Sequence, residues 1–236
     1  MTIRPRQLDV HATTLIAASL LLGAAGSGLT ALTPYRKGHD FDLVASAHPA
    51  TPRTSDTDTT AVFVRARAEE VKADASAIAS AKCDSCSGRA TALQVIYLDR
   101  ARIATTDNTA TAWSSCRDCE ATSTSVQVVV MRPDTDLTTR NRALAVNTSC
   151  KGCAATAVAV QLVVVTKDRR TLSSQARDQL KALASQVGAE VRRTALAEGP
   201  RAAIAKSQAS VPGVDELISA ELRPLSVQRH LDVHVG

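Results

Sequence analysis

The stretch Cys150-Lys-Gly-Cys153-Ala-Ala-Thr-Ala-Val-Ala-Val-Gln161-Leu-Val-Val-Val165 decides how the chain folds. Two cysteines separated by two residues open it. A run of small and β-branched residues follows, with a glutamine eight positions after the second cysteine. The same pattern occurs at Cys83-Asp-Ser-Cys86 with Gln94, and at Cys116-Arg-Asp-Cys119 with Gln127. The pairs start 33 and 34 residues apart, and the flanks align as well. Leu93-Gln94-Val95, Val126-Gln127-Val128 and Val160-Gln161-Leu162 occupy equivalent places. A fixed period of this length marks a repeat architecture.

Within each copy the apolar period is two, which predicts strands. Before the first pair, Ala73, Ala75, Ala77, Ala79 and Ala81 alternate with Asp74, Ser76, Ile78 and Ser80. Ala110, Ala112 and Ser114 precede the second pair, and Leu144, Val146 and Thr148 the third. After the pairs, one face carries Leu93, Val95 and Tyr97, then Val126, Val128 and Val130, then Val160, Leu162 and Val164. That face is expected to be core. Each unit therefore reads as strand, Cys-x-x-Cys turn, strand. The expected fold is mainly β with a C-terminal helical segment (α+β), as a three-repeat β-solenoid or an antiparallel β-meander. One further strand is expected near Ala61–Arg67.

After the third copy the period becomes helical. Leu172, Ala176, Leu180, Leu183, Val187 and Val191 fall on one stripe. Thr171 or Ser173 can cap its start, and Gly199-Pro200 can stop it. Shorter helices are expected over Arg201–Ser207 and Val214–Leu222. Residues 226–236 are ambiguous. The long helix is expected to cover an open end or face of the repeat stack, which otherwise leaves an edge exposed.

The N-terminus reads as a targeting segment. Arg4 and Arg6 precede an uncharged stretch, Ala12–Tyr35, with its apolar heart at Leu15–Ala25. Gly23-Ala24-Ala25 and Ala25-Gly26-Ser27 fit a small-x-small cleavage site. The stretch is also long enough to span a bilayer if it is not cleaved. The first cysteine is Cys83 and there is no twin-arginine pair, which argues against a lipid anchor and a Tat signal. The expected organisation is a signal peptide or signal anchor over 1–27 and a Pro/Thr/Ser-rich linker over 28–60. A β-repeat domain over 61–168 and a helical segment with a tail over 169–236 complete it. Pro49-Ala-Thr-Pro-Arg-Thr-Ser-Asp-Thr-Asp-Thr-Thr60 gives the linker its character. The localisation expected is secreted or cell-surface.

Composition narrows the function. The 236 residues are 44 % hydrophobic and 22 % charged, so a packed core is affordable to the chain. Only five rings are present: Tyr35, Phe41, Phe63, Tyr97 and Trp113. That number disfavours single-strand nucleic-acid platforms and aromatic cages. The net charge of +5 is dispersed, and no nucleic-acid partner is expected. The expected partner is an unidentified protein or a component of the cell envelope.

The six cysteines, the three glutamines and the small-residue alternation around them resemble a group of exported actinobacterial proteins. Those carry Cys-x-x-Cys followed by alternating Ala/Val and a Gln-Val-Val strand. The likeness covers about residues 70–195. It departs where members often have an aromatic before the glutamine, at Leu93, Val126 and Val160. The resemblance implies export and this architecture. No activity is assigned to the group, so no catalytic residue is carried over.

Three chemistries are open to Cys83, Cys86, Cys116, Cys119, Cys150 and Cys153. Disulfides persist in exported proteins. Of the fifteen connectivities six cysteines allow, only pairing within each motif gives every repeat the same bond. Closing so short a loop contributes roughly 2 kcal/mol. A meander would instead bring together Cys86 with Cys116 and Cys119 with Cys150. The second chemistry is zinc held by two knuckles as a Cys₄ site, although three pairs leave one over. The third is thiol–disulfide exchange, which prefers a helix N-terminus over the β-branched sequence here. No catalytic residues and no cofactor are expected, with zinc as the alternative.

Gln94, Gln127 and Gln161 either form a ladder of side-chain amides along stacked repeats or bond neighbouring backbone one by one. His230 and His234 have metal-compatible spacing on a helix, but read as an exposed tail. Asp56/Asp58 and Asp134/Asp136 lack the ligand count of a calcium loop. Glu69-Glu70 reads as a solvated face.

Overall fold

A computed structural model describes residues 38–236 of the chain. The signal-peptide or anchor reading of residues 1–27 lies outside them. Among the described residues nine strands and three helices follow one another: β1 (Gly38–Ala47), β2 (Ser55–Ala66), β3 (Glu70–Ala81), β4 (Ser87–Leu98), β5 (Ile103–Ser114), β6 (Glu120–Met131), β7 (Asp136–Asn147), β8 (Ala154–Val165), α1 (Ser174–Glu198), α2 (Pro200–Ser210), α3 (Pro212–Leu222) and β9 (Ser226–Val235).

The strands form two sheets, ordered β1-β3-β5-β7 and β2-β4-β6-β8-β9. Every pairing is parallel except β8 with β9. The chain crosses from the odd sheet to the even sheet through a Cys-x-x-Cys turn, returns through a second turn, and lands one level higher. This is a β-solenoid of four coils. It excludes the meander, because equivalent strands stack parallel one repeat later instead of antiparallel through the cysteine turn.

The solenoid has one more coil than its cysteine motifs indicate. Residues 49–54, expected as linker, form the first turn, and residues 55–60 begin β2. The alignment runs Ser55↔Ser87 and Val62↔Gln94. Thr51-Pro-Arg-Thr54 therefore stands where Cys83-Asp-Ser-Cys86 stands one coil later. The segment is polar because it forms the end of a stack. It still orders, since its backbone groups pair with the coil above: the Arg53 amide donates to Asp84 O at 3.1 Å and the Ser87 amide to Thr54 O at 3.0 Å.

The space between the sheets narrows toward the cysteine turns. There both inner faces are alanine: Ala45, Ala77, Ala79, Ala110 and Ala112 meet Ala90, Ala92, Ala121, Ala157 and Ala159. A Cβ on Gly88 would lie 2.9 Å from Ser80 O and 3.1 Å from Ala47 O, so the backbones approach too closely for any side chain there. Toward the opposite turns the gap is filled by Val71, Ile96, Leu98, Val129, Met131 and Val163. Small residues set the sheet spacing at one end and larger ones at the other, which keeps the interior close-packed throughout.

Strands β4, β6 and β8 are buried on both faces. Their outer face, with Val95, Val126, Val128, Val160 and Leu162, is covered by Leu180, Ala184, Val187 and Val191 of α1 and Ile218 and Leu222 of α3. The long helix thus covers a face of the stack and not its end. Ser173 caps α1, its side chain accepting from the Ala176 amide at 3.2 Å, and Gly199 ends it at φ 89°. Gly188 faces Thr124, where a Cβ would collide with the threonine hydroxyl. The three helices bring the chain back so that β9 adds to β8.

The last segment is a strand and not a tail. Residues 226–235 close the exposed edge of β8, with His230 opposite Gln161. Both His230 and His234 remain exposed, and their strand placement removes the helical spacing that suggested a metal.

Candidate functional site

Each cysteine turn contains a residue in the left-handed region at its third position. These are Ser85 at φ 56°, Asp118 at 52° and Gly152 at 70°, and Arg53 adopts 60° in the cysteine-free turn. Only glycine reaches this region without a steric cost. The turns stack through backbone bonds: the Ser85 amide donates to Arg117 O at 2.8 Å, and the Asp118 amide to Lys151 O at 2.9 Å. The fold therefore imposes the same left-handed third position on each of these turns, and a covalent clip can hold it.

The cysteines pair within each turn, with Cα separations of 5.5 Å for Cys83–Cys86, 5.9 Å for Cys116–Cys119 and 6.0 Å for Cys150–Cys153. All three pairs stand at disulfide distance, within the usual Cα span of a cystine. The rival bridges Cys86–Cys116 and Cys119–Cys150, which a meander would have produced, are not formed. In the first coil, hydroxyls take the place of sulfurs: Thr51 Oγ1 donates to Thr54 Oγ1 at 3.3 Å, and Thr54 Oγ1 to Thr51 O at 2.6 Å. Cys86, Cys116 and Cys119 are buried, whereas Cys83, Cys150 and Cys153 are partly open. Neighbouring turns also bring sulfurs close, Cys119 Sγ lying 3.9 Å from Cys153 Sγ. Every pair links two strands, so no helix dipole acts on a thiol. Among the described residues, no group of three His, Cys, Asp or Glu side chains is placed to hold a metal ion.

The glutamines sit in one column, Gln94↔Gln127↔Gln161, on the inner face of the even sheet. All three are fully buried. Gln127 Nε2 donates to Gln94 Oε1 at 2.7 Å, and Gln161 Nε2 to Gln127 Oε1 at 2.7 Å. Gln127 and Gln161 send their second amide hydrogen across to the odd sheet, and Gln94, which donates to no glutamine, sends both, one of them to Asp74 O at 3.3 Å. Gln94 Nε2 reaches Phe41 O at 2.9 Å, Gln127 Nε2 reaches Ala73 O at 2.9 Å, and Gln161 Nε2 reaches Thr106 Oγ1 at 3.1 Å. The ladder and the backbone bonds coexist, because an amide NH₂ has two donors pointing in different directions. The ladder ends at Gln161 Oε1, which has no partner.

A second amide pair, which the cysteine repeat does not flag, joins Asn108 and Asn141 on neighbouring strands of the odd sheet. Asn108 Nδ2 lies 2.7 Å from Asn141 Oδ1, 3.0 Å from Val160 O and 3.2 Å from Ser125 O, and Ser125 Oγ donates to Asn108 Oδ1 at 2.6 Å. Its signal was the 33-residue spacing of two asparagines in a repeat of that period.

Carboxylates close the ends of the stack. Asp58 Oδ2 accepts from the Ser46 amide at 2.7 Å, and Asp56 Oδ2 from the His48 amide at 2.6 Å. β1 is an edge strand, and these bonds cap one of its amides and the amide just past its end. At the other end Asp232 Oδ2 accepts from the Ala143 amide at 2.8 Å, on the edge strand β7. Asp134, Glu69 and Glu70 are exposed at the opposite turns, and Asp136 begins β7, also exposed.

Among the described residues, no element covers the outer face of the odd sheet. Toward the cysteine turns it carries Val44, Ile78, Trp113, Leu144 and Val146. A shallow groove beside the first cysteine turn is lined by His48, Ile78, Ser80, Lys82, Thr111 and Trp113. Trp113 donates from Nε1 to Thr148 Oγ1 at 2.9 Å, with the Lys82 ammonium 4.8 Å from its ring centre. Among the described residues, no helix is long and apolar enough to cross a membrane. Comparison of the chain with protein-family models, with curated proteins and with solved structures returned no match.

Proposed function

We propose that the chain is an extracytoplasmic structural or interaction protein without catalytic activity, released from the membrane or tethered to it by its N-terminal segment. The observation that carries this reading is the identical local cysteine pair in every cysteine-bearing turn. Such pairs persist in oxidising compartments. Support comes also from Arg4 and Arg6 ahead of the uncharged Ala12–Tyr35, which suits export. The resemblance to exported actinobacterial repeat proteins points to the same compartment. In this role the cystines hold left-handed turns whose cores, built largely of alanine, bury little area per residue. Partners are sought among envelope components and proteins, not nucleic acids.

A second reading makes the thiolates zinc ligands. It is favoured by the approach of Cys119 and Cys153 from adjacent turns. Fractionation of expressing cells, followed by thiol titration under denaturing conditions and a zinc assay, separates the two. The scaffold reading expects the protein outside the cytoplasm with no free thiol and no zinc. Six thiols with stoichiometric zinc would establish the second reading. One readily reducible pair, with two stable ones, would point to thiol–disulfide exchange.

A further inference from the structure

We propose that the open face of the odd sheet is the contact surface of a symmetric dimer, covered by the same face of a second copy of this chain. The proposal rests on the interaction-module reading above and names its first partner.

The face divides into two halves along the strands. Toward the cysteine turns its columns are Ser46–Ile78–Thr111–Leu144 and Ser80–Trp113–Val146. They carry no charge, and Leu144 and Trp113 are 51 % and 41 % exposed. Val44, Ile78, Trp113, Leu144 and Val146 leave apolar surface exposed between small hydroxyl residues, with the Lys82 ammonium over the Trp113 ring, and exposed apolar surface of this kind marks an interaction site. Toward the other turns the face is charged, and the charge is asymmetric. One column runs Asp42–Asp74–Asp107–Arg140 from β1 to β7. The inner two members have local partners: Asp74 pairs with Lys72 at 2.7 Å, and Asp107 with Arg142 at 2.5 Å. The outer two, Asp42 on the first strand and Arg140 on the last, make no ion pair among the described residues.

A two-fold axis lying along the strand direction, between β3 and β5, inverts the order of strands and keeps each column over itself. It lays Asp42 of one copy over Arg140 of the other, twice. The same operation places Ile78 over Thr111, Trp113 over Ser80 and Leu144 over Ser46, so the uncharged halves meet with each large apolar side chain against a small hydroxyl residue. It also sets Asp74 over Asp107, carboxylates that Lys72 and Arg142 already neutralise. An interface of this type is self-complementary, as a two-fold contact requires. Four strands of about 12 residues, spaced about 4.8 Å apart, give a footprint of roughly 760 Å². A standard stable interface uses about 800 Å² per partner. The face is therefore large enough for one copy of itself.

The test uses the purified, oxidised chain in sedimentation over low to high micromolar concentration, with far-ultraviolet circular dichroism to verify folding. The wild type is expected to dimerise. D42R and R140D alone are each expected to weaken the dimer by about tenfold or more, and D42R/R140D to recover most of the loss. L144R is expected to abolish it. Trp113 is the only tryptophan, so its emission should shift to the red on dilution of the wild type, which needs no variant to fold. A wild type that stays monomeric with constant emission overturns the proposal. So does a dimer indifferent to L144R, or a double swap no better than the single ones. A monomer that is exported with all cysteines oxidised would refute this contact and leave the scaffold reading standing.

Discussion

Gln127 donates from Nε2 to Gln94 Oε1 at 2.7 Å while its other amide hydrogen reaches Ala73 O at 2.9 Å. One buried side chain thus joins two coils and two sheets. Gln127→Leu keeps the volume but strands Gln94 Oε1, Ala73 O and the Gln161 amide. A loss of about 2–4 kcal/mol is expected in chemical denaturation. Gln161→Leu, at the end of the ladder where Oε1 already lacks a partner, should cost clearly less. Equal losses would show that the ladder does not connect the coils.

The turns respond to backbone conformation. Gly152→Ala places a Cβ in the left-handed region, toward the Asp118 carboxylate. A loss of about 1–2 kcal/mol is expected. Ser85→Gly relieves a non-glycine residue from the same region and should be neutral or stabilising. Thermal melting of both variants checks the contrast, and a stabilising Gly152→Ala would contradict the turn geometry.

Asp56 and Asp58 are expected to guard the first edge. The double variant Asp56→Ala/Asp58→Ala leaves the Ser46 and His48 amides without their carboxylates. Stability should fall by about 1 kcal/mol per bond, and light scattering should rise as open edges pair with one another. Unchanged scattering would mean that the carboxylates do not protect the edge.

Tyr97 links stability to alkaline pH. It is buried beneath the helices, and its hydroxyl oxygen accepts from the Leu172 amide at 3.0 Å. Burial pushes its pKa above the ordinary value of 10.0, outweighing that amide bond, which acts the other way. The unfolded chain then ionises first. The contribution is fully present below the ordinary value and is lost as pH rises through the raised one. Tyr97→Phe should flatten that alkaline decline in denaturation midpoints, and an unchanged slope would assign the decline to other groups.

Much of this architecture is legible in the chain. The cysteine spacing gave the repeat, alternation gave the strands, and Ser173 and Gly199 bounded the long helix where their chemistry placed them. The first coil escaped because Thr51 and Thr54 replace the cysteines, and because capping aspartates resemble linker composition. The closing strand escaped because Arg229 interrupts the alternation of Val227, Leu231, Val233 and Val235. Sequence also marked one face of β4, β6 and β8 as core, whereas both are buried. Alternation cannot reveal this when one face packs small residues against a second sheet and the other packs valines under a helix. The glutamines were recognisable as a column, but their second hydrogen bonds depend on a sheet that only the fold brings near.

The central claim is a four-coil solenoid whose cysteine turns are closed locally. Digestion of the unreduced mature protein, with mass analysis of the linked peptides, addresses it most directly. The expected result is three bonds, Cys83–Cys86, Cys116–Cys119 and Cys150–Cys153, with no free thiol. Bonds joining Cys86 to Cys116 and Cys119 to Cys150, or six unmodified thiols, would contradict it.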